Sequence, residues 1–179
     1  MATAADLVPE KYRTPGLSAM ELAVAQERAE AAFPDDLCEL LTTTLPAGDR
    51  FPDWRARPAE EMREWREWLV DTIHFDVTQN AFWLEEWGDV PSDPRESRQI
   101  VAQALAEAPA LIPIMAHRAI PNDPLAAGNP VFSVWQTDII LYGANLTEYL
   151  ANEFGRRYEI SPDSRTIRFW SHLVDLNNG

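Results

Sequence analysis

Cysteine occurs once, at Cys38, so no disulfide forms within the chain. Lysine also occurs once, at Lys11, and the arginines are interspersed with acidic residues rather than gathered into a stripe. A polyanion needs such a stripe, so nucleic acid is not the expected partner. No uninterrupted apolar run reaches the length of about eighteen residues that a membrane-spanning helix requires. Nor does the early sequence join a basic start to a long apolar segment, so no secretion signal is expected and the cytoplasm is the expected compartment. The patterns HExxH, CxxC, GxGxxG and GxxxxGK are all missing. With them go the zinc, dithiol, dinucleotide and phosphate-loop chemistries they support, and no cofactor or metal is expected.

What is present describes a folded domain. The 179 residues are 46% hydrophobic, include seven tryptophans and carry a net charge of −14. That is enough apolar material for one core without staples, read as a single domain over 1–179 with an irregular arm over 1–16. The charge sets the sign of the field that a partner meets first, which keeps the chain apart from other acidic surfaces and suits a basic protein.

The densest signals run from Gly128 to Phe154, GNPVFSVWQTDIILYGANLTEYLANEF. Val131 to Trp135 and Ile139 to Tyr142 are β-branched and aromatic, which predicts two buried strands joined by Gln136, Thr137 and Asp138. Phe132 and Val134 should face away from Val131, Ser133 and Trp135. Gly143 breaks the second strand, and Asn145 with Glu148 caps a helix that Gly155 closes. The Asn145-Leu146-Thr147 sequon is read as that cap alone.

Elsewhere, Ser18 and Glu21 form a capping box for a first helix with Leu22, Ala25, Ala29, Ala32 and Phe33 inward. Pro34 opens a second helix carrying Leu37, Leu40 and Leu41, with Cys38 as a small buried thiol rather than a nucleophile. A loop over 43–58 is pinned by Phe51 and Trp54. Pro58, Glu60 and Glu61 start a third helix with Met62, Trp65 and Leu69 inward. Ile73 to Val77 and Ala81 to Leu84 are read as a hairpin around Thr78, Gln79 and Asn80. Asp93, Pro94 and Glu96 signal a fourth helix ending at Pro109. Leu111 to Ala116 is a strand whose Pro113 places it at an edge or on a bulge. His117 and Arg118 open a polar loop through Pro124, Arg156 and Arg157 sit at the negative end of the preceding helix, and RTIRFWSHLVDL gives one last strand or helix. Helices and strands are not in regular alternation, so the class is α+β, an antiparallel sheet covered by helices on one side.

Taken in series, FPDDLCELL, FDVTQNAFWLEEWG, GNPVFSVWQTDIILYGANLTEYLANEF and IRFWSHL resemble the SUKH superfamily, which holds fungal cell-wall-synthesis regulators and many bacterial immunity proteins. The resemblance runs from about Leu17 to near Leu173 and is most specific in FWLEEWG and NPVFSVWQTDIILYG. It implies a non-enzymatic α+β domain that binds other proteins. For a bacterial member it implies neutralisation of a toxin.

Two sets of residues are candidates for a site. Trp87 stands among Glu85, Glu86 and Asp89, an aromatic anchor ringed by acids that suits a basic partner. Gln136, Thr137, Asp138 and His117 are polar residues beside buried strands, and their expected role is structural, through side-chain bonds to the turn backbone. Trp83 and Trp135 divide between core and interface. The alternative from another class is a small hydrolase or metal-dependent enzyme built on His117 and Asp138. His74, His117 and His172 are far apart in sequence, and their convergence with Asp76 or Asp138 would be its signature.

Overall fold

The computed structural model describes residues 3–155 and 160–178. The expectation for Arg156 and Arg157 falls outside them. Among the described residues no helix is long and apolar enough to cross a membrane.

The segment before Leu17 is ordered rather than irregular. Thr3 caps a short helix α1 (Ala4–Leu7) through a capping box with Asp6, and a 3-10 turn (Glu10–Tyr12) leads into strand β1 (Arg13–Pro15). Arg13 ties the two together by donating to the carbonyls of Val8 and Asp6. The partner of β1 is strand β2 (Thr44–Pro46), which pairs with it antiparallel, Arg13 opposite Pro46 and Pro15 opposite Thr44. Three-residue strands show no alternation, so their pairing does not show in local sequence.

Helix α2 (Ala19–Ala29) begins at the expected Ser18 and Glu21 box and stops before Ala32, because Glu30 turns left-handed at φ 51°. Helix α3 (Asp35–Thr43) follows Pro34 and buries Leu37, Leu40 and Leu41 as expected. The Glu21 carboxylate also receives Arg55 Nε at 2.7 Å. Hydrogen bonds from Ser18 and then Arg55 hold its pKa down to about 2, against an ordinary 4.5. A depressed folded-state pKa contributes stability above the unfolded value and loses it as pH falls. Glu21→Gln is therefore expected to flatten the decline of the melting temperature between about pH 4.5 and 2, a comparison made by thermal scans of both proteins.

Helix α4 (Ala59–Gln79) is the longest, and it overturns the hairpin expected over 73–84. Leu69, Val70, Ile73 and Asp76 return at helical spacing and are all buried, so contact with the core outweighs the β preference of Ile73 and Val77. The helix ends at Asn80, Ala81 turns at φ 54°, and Phe82 to Leu84 continue without strand pairing. Helix α5 (Pro94–Glu107) starts as expected, the Asp93 side chain accepting from Arg95 N at 2.9 Å.

A four-stranded antiparallel meander follows, β3 (Leu111–Met115), β4 (Arg118–Pro121), β5 (Val131–Trp135) and β6 (Asp138–Gly143), in that spatial order. Pro113 is both at the edge and beside a bulge. Arg118 to Pro121 form β4 instead of a polar loop. Arg118 enters the sheet because Ser133 Oγ accepts its Nη1 at 2.9 Å and the Tyr142 ring lies 3.8 Å from its guanidinium carbon. Asp138 belongs to β6, so the link between the last strands is Gln136 and Thr137, with Gln136 at φ 57°.

Helix α6 (Leu146–Phe154) is capped by Asn145, whose Oδ1 accepts Glu148 N at 2.8 Å. Gly155 leaves it in extended backbone rather than left-handed. Gly143 is required by approach rather than by turn, since a Cβ there would lie 2.6 Å from the Tyr149 backbone. The last segment is a helix, α7 (Trp170–Asn178).

The class is α+β, with antiparallel sheets under helices. The cover is fuller than the one-sided cover expected, because side chains along the strands alternate between two clusters. Phe132, Val134 and Ile139 pack with Leu69, Trp170 and Leu173, whereas Ile112, Ile120 and Val131 pack with Leu37, Met62 and Tyr149. Phe132 and Val134 thus face away from Val131, as the period-two pattern predicts.

Candidate functional site

The loop between α4 and α5 carries the acidic set. Leu84, 2% exposed, anchors it, and a 3-10 turn over Glu85–Trp87 then presents Glu85 and Glu86 to solvent. Gly88 closes the turn at φ 78°, and Trp83 Nε1 donates to its carbonyl at 2.7 Å. Trp87 is half-buried, edge-on to Phe82 and Trp83 with ring centroids at 5.9 and 5.1 Å. One face of its indole is thereby fixed against the core. The remainder joins Glu86 and Pro91 as one wall of an open cleft of about 520 Å³.

The opposite wall is helix α5. Glu96, Ile100, Gln103 and Glu107 line it, at intervals of four, three and four residues, which is one helical face. Three carboxylates, from Glu86, Glu96 and Glu107, therefore surround the cleft, and neither lysine nor arginine lines it. Among the described residues none of Glu85, Glu86, Asp89 and Glu96 is in an ion pair. Arg168 reaches the backbone carbonyl of Glu107, while the Glu107 carboxylate accepts from Gln103. Carboxylates around an aromatic wall make a negative, partly apolar concavity, complementary in charge and polarity to a cation on an apolar stem.

The α5 wall carries its own signal in the sequence, the spacing of Glu96, Ile100, Gln103 and Glu107, but nothing local says that this face meets Trp87. Glu85, Glu86, Trp87 and Asp89 do fall together on one loop.

The second set divides. Thr137 is structural, its N–H and hydroxyl both donating to Asp76 Oδ2, at 2.9 and 2.7 Å. Asn177 of α7 donates to the Thr137 carbonyl at 2.8 Å. The hairpin tip is thus held by two helices. Gln136 supplies the left-handed turn, and Asp138 is exposed at the start of β6. Trp135 is 59% exposed, edge-on to Trp68 at 6.3 Å.

His117 sits in the β3–β4 turn, its ring 6.4 Å from that of Trp135. Burial lowers its pKa, and Arg118 and Arg50 add to the effect against Glu153. Neither His117 nor Asp138 lines the Trp87 cleft or the smaller apolar pocket beside α4. His74 Nε2 and Ser97 Oγ hydrogen-bond at 2.9 Å, a tie between α4 and α5, and His172 lies on α7. No group of three or more His, Cys, Asp or Glu placed to hold a metal exists among the described residues. Cys38 is half-buried, and burial pushes its thiol pKa up, helped by Asp35 and Asp36, the reverse of an activated nucleophile.

Comparison with protein-family models, with curated proteins and with solved structures finds no match to the chain.

Proposed function

We propose that this protein is a non-enzymatic binding module whose Trp87 cleft receives a basic segment of a partner protein, and that, following the SUKH resemblance, the partner is a toxin domain that it neutralises. The observation that carries the reading is the pairing of an aromatic wall with carboxylates that have no cation of their own. Charges of this kind act on encounter, and the indole acts on residence.

The test separates the two. The first partner to try is the protein encoded beside this one, with an arginine-rich peptide as a generic probe and its glutamate-substituted version as control. Glu85→Gln with Glu86→Gln is expected to slow association and reduce its salt dependence. Trp87→Ala is expected to speed dissociation by an amount on the order of 2 kcal/mol, about thirtyfold. Equal binding of both peptides would overturn the charge-selective cleft, and a turnover activity abolished by His117→Ala would replace the binding reading with the enzyme one.

A further inference from the structure

A second cavity, of about 240 Å³, lies on the other side of α5 from the cleft, bounded by α4, β3 and the Trp170 indole. Ala102 and Ala106 of α5 meet it with methyl groups only, while Leu69, Val70 and Leu111 supply its apolar wall. Trp170 is 1% exposed, and its Nε1 donates to the Pro109 carbonyl at 2.7 Å, so its polar edge is satisfied and its ring is available as hydrocarbon surface.

The two charged residues at this cavity are already neutralised. Arg66 donates to the Ala29 carbonyl at 2.9 Å and to Glu30 at 2.6 Å, and Glu67 accepts Arg98 at 2.7 Å. The cavity opens past the partly exposed Arg66 and Glu67, while its inner wall of Leu69, Val70, Leu111 and Trp170 gives water few hydrogen-bond partners, so water there is readily displaced by hydrocarbon. An ionic ligand would lose its hydration without gaining a free countercharge.

We infer that this pocket is a binding site for one small uncharged hydrocarbon-like molecule. A cavity of about 150 Å³ lined by aliphatic and aromatic side chains takes benzene, and the larger volume here suits a bicyclic aromatic or an aliphatic chain of about ten carbons. The inference is independent of the proposed protein-binding role, because the wall residues of the two cavities are on different faces of α5.

Naphthalene is the probe, with 2-naphthoate as its charged counterpart, followed by calorimetry and by amide shifts in the intact protein. Saturable one-to-one binding is expected, with shifts centred on Ala102, Leu105 and Leu111, and with naphthoate at least about tenfold weaker. Ala102→Leu fills the pocket and is expected to weaken naphthalene at least about tenfold while the melting temperature holds or rises. Ala106→Leu, nearer the mouth, repeats the test should the first variant fold poorly. Absence of saturable binding, or equal affinity in a folded filled variant, would overturn the assignment.

Discussion

Gly16→Ala is expected to destabilise the protein by about 3 kcal/mol or more, the upper end of what overpacking does. A Cβ at this position would stand 2.0 Å from the Thr42 carbonyl oxygen and 2.5 Å from its carbon, both backbone atoms. Neither side can yield easily. Leu17 N donates to the Leu41 carbonyl at 2.8 Å, and Arg55 Nη2 reaches the carbonyls of Pro15 and Gly16 at 3.0 and 3.1 Å. The chain is thereby held down on the end of α3, and Pro15 is already in register with Thr44. Gly88→Ala is the control, since its Cβ would meet nothing within 4 Å and only the positive φ of 78° is strained. Its φ of 78° pairs with ψ −152°, a region that is essentially glycine's own, so that change should cost about 1–3 kcal/mol from backbone strain alone. Urea denaturation of both variants decides the matter, and a Gly16→Ala midpoint equal to that of the parent would show that the N-terminal segment does not pack as described.

What the sequence revealed and what it concealed divide by the range of the interaction. The Ser18 and Glu21 box, the Asp93 and Pro94 start and the Asn145 cap are each complete within a few residues, and each is where it was expected. The β5–β6 link was legible for the same reason. β1 was not, because its partner strand is about thirty residues away. Residues 73–79 carry β-branched side chains whose helical state is decided by burial against other elements, and β4 begins with an arginine whose acceptor, Ser133, is on the next strand. The site shows the same division. Acids and tryptophan on one loop were readable together, whereas the facing wall is on α5, and only the fold turns Glu96 and Glu107 toward Trp87.

Asp76→Ala is expected to cost on the order of 3 kcal/mol, because it strands several donors at once. Asp76 is 4% exposed, and its carboxylate accepts from Thr137 N–H, Thr137 hydroxyl and Asn80 Nδ2, the last at 2.6 Å. Hydrogen bonds to an ionised acceptor are the stronger kind, and a covered N–H left without one retains its desolvation cost. Asp76→Asn should lose less, about half, because a carbonyl at the Oδ2 position still accepts both Thr137 donors while its amide faces the Asn80 amide. Thr137→Ala added to Asp76→Ala should cost little more than Asp76→Ala alone, since the two share their bonds. Strict additivity in that cycle would mean that the hairpin tip is held by Asn177 and packing instead. The effect should also reach the Trp87 loop. The Asp76 side chain holds Asn80 where the loop leaves α4, and the substitution removes that hold while keeping the backbone carbonyl that accepts Phe82 N at 3.1 Å. Trp87 stacks edge-on to Phe82, and a freer loop must be ordered again on binding. Asp76→Ala is therefore expected to weaken the basic peptide about tenfold at a temperature where the variant is still folded, with the loss in residence time rather than in encounter.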